Sequence, residues 1–558
     1  MRAYCYDCGM KGRPTVAYFS MEVAHANEMP NYAGGLGVLA ADTMMSAADL
    51  GTEMVGISLL YHQHDNLEYG FNGERYMIRR PETVNVEIED RKVTIAIWEK
   101  ELLGRSGHIV PVFFLSAHGA ENARWDRDLT KHLYASDRYT RLGQEIILGV
   151  GGVRALERLG YTNIDTYHLN EGHAAFATLE LLRRNNYDEA KVRSLVTFTT
   201  HTPIAAGHDY FEYDLAGNTL RDMMPWNIRE LAGQERLGMT ELAMNLSKST
   251  NSVSKRHQHV CQDMFPGKEI RNVTNGVYAP RWTGEHMVEF FNVFLPGWDE
   301  HPVVFSDAVK RLPSEELRGV RILEKDDFTH WINFNKVFFS VTNVSNEDFL
   351  ESDTLTIGFG RRTVPYKRPD LIFRDLERLG RLGDRKIQLI FANRCHPDDH
   401  YCNSLRGKLN EYADRLRGKV KIVLIPDYDL KIAKRLVAGC DVWLNTPTPP
   451  LEASGTSGMK AALNGGLNLS MRDGWWIEGL EREPTCGWGF GGQIYPSQEE
   501  QDSNDAAALM DVLEDALHCY YERTDEWTER MKHAIALLGY FNTSRLVEEY
   551  STEIWGAS

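Results

Sequence analysis

The chain has 558 residues, 42% hydrophobic and 25% charged, an ordinary globular balance with apolar material for two large domains or about three smaller ones. Its formal charge is −17, from 62 basic against 79 acidic residues, which argues against nucleic acid or an anionic membrane as a general partner, since both need a basic field. There is no uncharged apolar run of about 18 residues and no apolar signal core in Met1–Arg13, so a cytoplasmic protein without a membrane partner is expected.

Taken in chain order, the first feature is the pair Cys5 and Cys8, a lone C-x-x-C. Tetrahedral zinc needs four ligands and no second C-x-x-C follows, so no metal is expected. Eight cysteines in a chain of this length do not make a disulfide framework either. Val16–Met21 reads as a strand. It is followed by the Gly-rich turn Asn31-Tyr32-Ala33-Gly34-Gly35-Leu36-Gly37 and a helix over Val38–Leu50. A Gly-rich turn opening a helix offers backbone N–H groups to a phosphate, although such turns are often only structural. Leu195–Thr200 reads as a second strand. It ends in Thr200-His201-Thr202-Pro203, where His201 is either a ligand for a substrate hydroxyl or a satisfied core histidine.

The second half has a regular rhythm. β-rich runs at Thr354–Gly360, Ile387–Asn393, Val420–Pro426, Asp441–Thr446 and Leu467–Met471 alternate with helical patterns at Pro369–Leu382, His400–Arg417, Leu430–Ala438 and Ser457–Leu463. Such alternation predicts a parallel sheet covered on both faces. A helix over Ala506–Tyr520 follows, with Asp502, Ser503 or Asn504 as its cap, and Trp527–Trp555 is again helical. The fold class expected is α/β: two Rossmann-like doubly wound domains, 1–335 and 345–530, facing a central cleft, with a C-terminal helix at 531–558 packing back across both.

Two clusters carry chemistry. Arg361-Arg362-Thr363-Val364-Pro365-Tyr366-Lys367-Arg368 places four cations directly after a strand. In an acidic protein that concentration makes sense at a phosphate site, where Arg grips oxyanions in a fork and Lys adds a point charge. Glu452-Ala453-Ser454-Gly455-Thr456-Ser457-Gly458-Met459-Lys460 follows another strand and opens a helix, again presenting free N–H groups. Lys460 stands where an amine could reach a carbonyl cofactor in the cleft. The residues alone leave open a solvated lysine beside a tight turn.

The 452–460 run resembles the pyridoxal-phosphate lysine motif of the α-glucan (glycogen and maltodextrin) phosphorylases, in the shorter bacterial and archaeal form. Ala17–Glu22, the Gly34–Gly37 turn, Tyr167–His173, Thr199–His208, Thr274–Val277, the 361–368 cluster and Asp473–Gly479 are similar to that family and in its order. The resemblance implies a GT-B type fold and retaining phosphorolysis of α-1,4-glucan by inorganic phosphate, releasing glucose 1-phosphate. It implies pyridoxal 5′-phosphate bound covalently by Lys460, its phosphate held by Gly35, Arg361 and Lys367 with Thr456 and Ser457 nearby, and Tyr428 against it. Arg362 and Lys367, with the Ser454–Gly455 turn, would take the substrate phosphate. His201, Asn275, Glu452, Ser454 and Gly455 would ring the terminal glucose. The residues expected to carry catalysis are Lys460, Arg362, Lys367 and His201. A homodimer is an open expectation, as members are often dimers, and the chain's length implies no N-terminal phosphorylation switch.

Two segments depart from the family. His62 stands in Tyr61-His62-Gln63-His64 where short members commonly carry arginine, and 447–450 read Pro-Thr-Pro-Pro where basic residues often stand. Both are expected near the substrate mouth, so they bear on the acceptor more than on the chemistry. The rival readings are a nucleotide-sugar glycosyltransferase on the same fold, which would bind no pyridoxal phosphate, and a non-catalytic glucan-binding protein.

Overall fold

A computed structural model describes residues 15–63, 71–335, 339, 341–344, 349–384, 386–394, 400–426 and 428–556; Cys5, Cys8 and His64 lie outside them. The run Val16–Ser20 is apolar on both sides of its pleat and is buried at every position. It therefore forms an inner strand of a parallel sheet. The sheet has nine strands, in the order Arg271–Asn272, Ser249–Ser252, Val196–Thr199, Thr166–Asn170, Val16–Ser20, Met54–Leu59, Ile109–Ser116, Arg91–Leu103 and Ile78–Ile88. The first seven are parallel, and the last two add antiparallel at one edge.

The second sheet has seven strands, in the order Val341–Thr342, Lys421–Ile425, Ile387–Arg394, Leu355–Arg362, Val442–Asn445, Leu467–Met471 and Gly487–Phe490. All are parallel except the antiparallel edge strand Val341–Thr342. Each sheet has a strand from which the chain winds both ways: Val16–Ser20 in the first and Leu355–Arg362 in the second. Beside such a strand the flanking loops diverge and leave a crevice at the carboxyl ends. The turns 20–37 and 361–368 both start there.

The strands and helices read from the second half stand within a few residues of their expected bounds. The exceptions have local causes. The helix expected over Pro369–Leu382 is divided into a 3₁₀ turn, Leu371–Phe373, and the helix Leu376–Gly383, because Asp375 caps a fresh start by accepting from Arg378 N at 2.9 Å. The helix expected over Ala506–Tyr520 runs from Gln498 to Glu522 and is capped by Ser497, whose Oγ accepts from Glu500 N. Asp502, Ser503 and Asn504 are therefore inside it, and Asp502 pairs with Arg368 and Arg374 instead.

The core of the second sheet also takes in apolar residues from Val277 to Ile332, which the expected boundary near 335 assigns to the first half. The C-terminal segment is not one helix. Thr524–Ala536 breaks at Leu537–Gly539 and resumes as Thr543–Glu549 and Tyr550–Ile554. Its break lies against Val277, which donates to Phe541 O at 3.1 Å and accepts from Thr543 N at 3.1 Å. Among the described residues no helix is long and apolar enough to cross a membrane.

Trp555 closes this segment by donating its indole N–H to Nδ1 of the fully buried His168 at 3.1 Å. An indole can only donate, so Nδ1 accepts and the proton sits on Nε2, 3.3 Å from Thr199 Oγ1. Burial pushes the His168 pKa down to about 3. Since the unfolded state binds the proton below about 6.5 and the folded state does not until about 3, this residue's contribution to stability falls as pH drops through that window. Replacing His168 with Phe should flatten the dependence of the thermal midpoint on pH between about 6.5 and 4. An unchanged slope, followed by calorimetry, would remove His168 as its cause.

Candidate active site

A cleft of about 630 Å³ opens between the carboxyl ends of the two sheets. It is of the size that takes a small-molecule substrate. All thirteen residues picked from the sequence line it: Gly35, His201, Asn275, Arg361, Arg362, Lys367, Tyr428, Glu452, Ser454, Gly455, Thr456, Ser457 and Lys460.

Two helices point their N-termini at this cleft. Gly35–Asp49 has Gly34 as its cap and Thr456–Leu463 has Gly455; neither cap provides a side-chain hydrogen bond, and neither first turn carries an acid. The first-turn N–H groups thus have no intrahelical partner and a positive end of the helix dipole behind them, an arrangement suited to anions. Gly455 has φ +94°, a left-handed conformation that a side chain would strain by roughly 1–2 kcal/mol. At Gly34 and Gly35 a Cβ would meet nothing within 4 Å, so the backbone is open to close approach. Their turn is held from behind by Glu22, whose Oε2 accepts from Ala33 N at 2.6 Å and Gly34 N at 3.2 Å.

Three of the four cations of the 361–368 cluster line the cleft. Arg368 does not. It donates to Thr446 O and Pro447 O and pairs with Asp502 and Asp505, so it serves as a structural tie. Glu452 stands between two of the remaining three. Its carboxylate takes Lys367 Nζ at 2.8 and 2.6 Å and Arg361 Nη1 at 3.1 Å. Burial alone would raise the Glu452 pKa, but Lys367 and Arg361 more than reverse this and hold it below the usual carboxylate range. Arg362 is exposed toward solvent and makes its long-range electrostatic contact with Glu22.

Lys460 lies one turn into its helix, buried, with Nζ 3.9 Å from the centre of the Trp282 ring. Burial lowers its pKa to about 8, Asp42 opposing and Arg281 reinforcing the shift. Asp42 also fixes the tryptophan, accepting from its indole N–H at 2.7 Å. A buried amine near neutrality is a nucleophile in waiting. Tyr428 also lines the cleft. Its own hydroxyl is pushed far up by burial, against the opposing charge of Arg361.

The wall contributed by the first sheet combines neutral hydrogen-bonding groups with charged side chains that have partners of their own, such as Arg141 with Asp209. His201 is pushed down to about 3 by burial, with His257, His168 and His173 adding to the shift. Its Nε2 donates to Asn170 Oδ1 at 2.7 Å, since the Asn170 amide donates onward to Ser20 Oγ, which leaves Nδ1 as an acceptor. Asn275 Oδ1 and Ser454 Oγ are buried with no partner, on residues only 4% exposed that line the cleft. Buried polar atoms without partners are rare in folded proteins, and here a bound hydroxyl would satisfy them.

The cleft also has residues that the sequence reading did not single out: Glu22, Tyr134, Arg141, Glu171, His173 and Trp282. Glu22, Glu171 and His173 stand in segments quoted above, but Tyr134, Arg141 and Trp282 carry no local signal. Glu171 has φ +80° and accepts from His201 N and Thr202 Oγ1, so a strained turn holds His201 in place. The two departures are not part of the lining itself. His62 stacks on His118 at 4.2 Å, bonds Ser116 Oγ at 2.6 Å and is not among the lining residues, and nor are 447–450.

Comparison with known proteins gives one family. Residues 401–485 match the model described as carbohydrate phosphorylase. The chain is 34% identical to maltodextrin phosphorylase of Thermococcus litoralis, over 97% of this chain and 70% of that one. It is 32% identical to glycogen phosphorylase of Aquifex aeolicus, over 97% and 86%, and 33% identical to glycogen phosphorylase of Mycobacterium tuberculosis, over 98% and 71%.

With three cations of the 361–368 cluster and two helix N-termini facing one cleft, inorganic phosphate should raise the thermal midpoint of the protein above that in chloride of equal ionic strength. Saturation to about a hundred times Kd corresponds to roughly 2.7 kcal/mol of stabilisation. Arg362→Ala should remove about half of that rise or more by scanning fluorimetry, since its guanidinium is free to take the ion.

Proposed function

The chain belongs to the carbohydrate phosphorylase family, and on that premise we propose that it is an α-glucan phosphorylase. It transfers the terminal glucosyl unit of an α-1,4-glucan to inorganic phosphate with retention, releasing glucose 1-phosphate and a shortened glucan. What supports this most is the convergence in one cleft of the Lys460 amine, the cations Arg361, Arg362 and Lys367, and two helix N-termini free of side-chain caps.

The residues fit pyridoxal 5′-phosphate. Lys460 has a lowered pKa and a cleft-facing position, and the open turn at Gly34–Gly35 leaves room for a phosphate against the backbone. Lys460 would tether the cofactor, Gly35 N–H, Arg361 and Lys367 would hold its phosphate with Thr456 and Ser457 beside it, and Tyr428 would lie against it. When bound, the cofactor supplies a phosphate near its second pKa, able to exchange a proton with the substrate phosphate at neutral pH.

Arg362 and Lys367, with the Ser454–Gly455 turn, would bind the substrate phosphate and neutralise its charge as it approaches the sugar. His201 Nδ1, Asn275, Glu452, Ser454 and Gly455 would hold the terminal glucose. Glu452 acts there as an acceptor for sugar hydroxyls, since its neighbours keep it ionised. With phosphates that would serve as acid and base, a pair of carboxylates of the glycosidase kind would be unnecessary.

The deciding experiment is incubation with pyridoxal phosphate, maltodextrin and inorganic phosphate, with glucose 1-phosphate as the readout. Product that requires phosphate, and falls at least about a thousandfold in Lys460→Ala, is the expected result. No product and no covalently bound cofactor after borohydride reduction would sink the reading in favour of a nucleotide-sugar transferase. The lowered amine adds a second expectation. Since the neutral amine is the nucleophile, covalent uptake of cofactor should speed up as pH rises and level off above about 8. An uptake rate still rising steeply at pH 10 would show an unshifted lysine.

A further inference from the structure

The sugar-binding end of the cleft is made by two halves of the chain, and a buried carboxylate outside the cleft joins them. On the side of the second sheet, the turn carrying Glu452 and Ser454 is moulded on the next turn, 473–475. Glu452 N donates to Asp473 Oδ2 at 2.9 Å, and Trp475 N donates to Ser454 O at 3.0 Å. Between them Gly474 has φ +54°, and a Cβ there would come within 2.5 Å of Ser454 O. The two turns therefore shift together. The helix that follows, Trp475–Arg482, carries Glu478, which is 1% exposed.

Glu478 reaches across to the first half. Its Oε1 accepts from Lys255 N at 2.9 Å, and Thr274 Oγ1 donates to it at 2.9 Å from Oε2 and 3.1 Å from Oε1. Lys255 opens the ten-residue helix Lys255–Met264, so the carboxylate also meets the positive end of that helix. The cap of the same helix, Ser254, donates to Ala453 O at 2.6 Å, inside the turn between Glu452 and Ser454. Thr274 is the neighbour of Asn275, whose partnerless Oδ1 is described above. The ammonium of Lys255 turns instead to Glu481, at 3.5 Å. Thus Glu478 is satisfied by one backbone N–H and one hydroxyl rather than by a cation. Burying a carboxylate in this way costs several kcal/mol that an apolar contact would not, so cohesion of the halves alone is a poor reason for it. Its directed bonds do what an apolar contact cannot, which is to fix Thr274 and Ser254 in register with the 473–475 turn.

We propose that Glu478 is a positioning residue that sets the spacing between Asn275 and the Glu452–Ser454 turn, and through it the fit of the terminal sugar. The proposal rests on the phosphorylase reading for its substrate. Its test compares Glu478→Gln and Thr274→Val with the cofactor-loaded wild type. Each should lower kcat/KM for the glucan by about 10- to 100-fold while the KM for phosphate stays within about twofold and bound cofactor is retained. Thr274→Ser keeps the hydroxyl and should restore the rate to within about twofold of wild type. In an Asn275→Ala background, Glu478→Gln should cost little more, because the two act through one contact. Wild-type kinetics in both Glu478→Gln and Thr274→Val, or losses that add in full to those of Asn275→Ala, would overturn the proposal. A wild type with no phosphorolysis would defeat the functional reading instead. Calorimetric titration with glucose 1-phosphate then decides the clamp: equal affinity in wild type and Glu478→Gln overturns it, and weaker binding in the variant upholds it.

Discussion

Gathering cations into a dehydrated cleft is the constraint around which this molecule is arranged. Two unit charges about 6 Å apart repel by roughly 3 kcal/mol at an effective dielectric constant near 20, and this cleft takes Arg361, Arg362, Lys367 and Lys460. Each is accommodated differently. Glu452 bridges Arg361 and Lys367 and offsets one of their two charges, burial draws Lys460 toward its neutral form, and Arg362 stays in contact with solvent. The fourth cation of the 361–368 cluster, Arg368, is removed from the problem by turning to Asp502 and Asp505. The net negative charge of the chain is compatible with such a site because the charges that matter are local.

The two sheets supply that cleft for a topological reason. In each, the parallel strands wind out in both directions from one inner strand, so the loops after that strand and after its neighbour diverge. The first sheet delivers the Gly34–Gly35 turn and the Glu171 turn at its divide. The second delivers 361–368 and 452–460 at its own. The C-terminal segment then crosses from the second core to the first, through Val277 and Trp555, and ties the halves that the cleft separates. The chemistry of the site thus depends on contacts more than a hundred residues apart in sequence.

Much of this was legible because it is local. Strand, small-residue turn and helix in immediate succession offer free N–H groups to an anion, although such turns can be purely structural, and both of these turns face the cleft. Lys460 stands in one of them, and the family resemblance supplies its expected role and that of Arg362 in the neighbouring cluster. What the sequence hides is whatever packing decides. Nothing near Trp282 marks it as the ring over Lys460, and Asp42, which orients that ring, reads as an ordinary helix residue. The same holds for Tyr134 and Arg141, which reach the cleft from a helix and loop with no motif of their own. His62 is held by a hydroxyl from Ser116 and the ring of His118, partners that nothing in its own segment announces.

The two walls of the cleft differ in kind, and the difference matches the proposed reaction. The second sheet contributes the cations Arg361, Arg362, Lys367 and Lys460, while the first contributes histidines that burial keeps neutral, with His201 and His173 both driven to about 3, and an Arg141 whose charge is met by Asp209. Neutral imidazoles and amides suit a sugar, whose hydroxyls need directional donors and acceptors and would gain little from a fixed charge. Charged groups suit a phosphate, for which a neutral wall would leave the desolvation of the anion uncompensated. A glucan can then lie along one wall while phosphate is held against the other, and the bond to be broken falls at the seam. At that seam the half carrying Asn275 is tied to the Glu452–Ser454 turn through Ser254, which donates to Ala453 O. Small changes in the spacing of the halves would therefore be felt first in the fit of the sugar, and last in the binding of the anions, which rests on one half together with the Gly34–Gly35 turn.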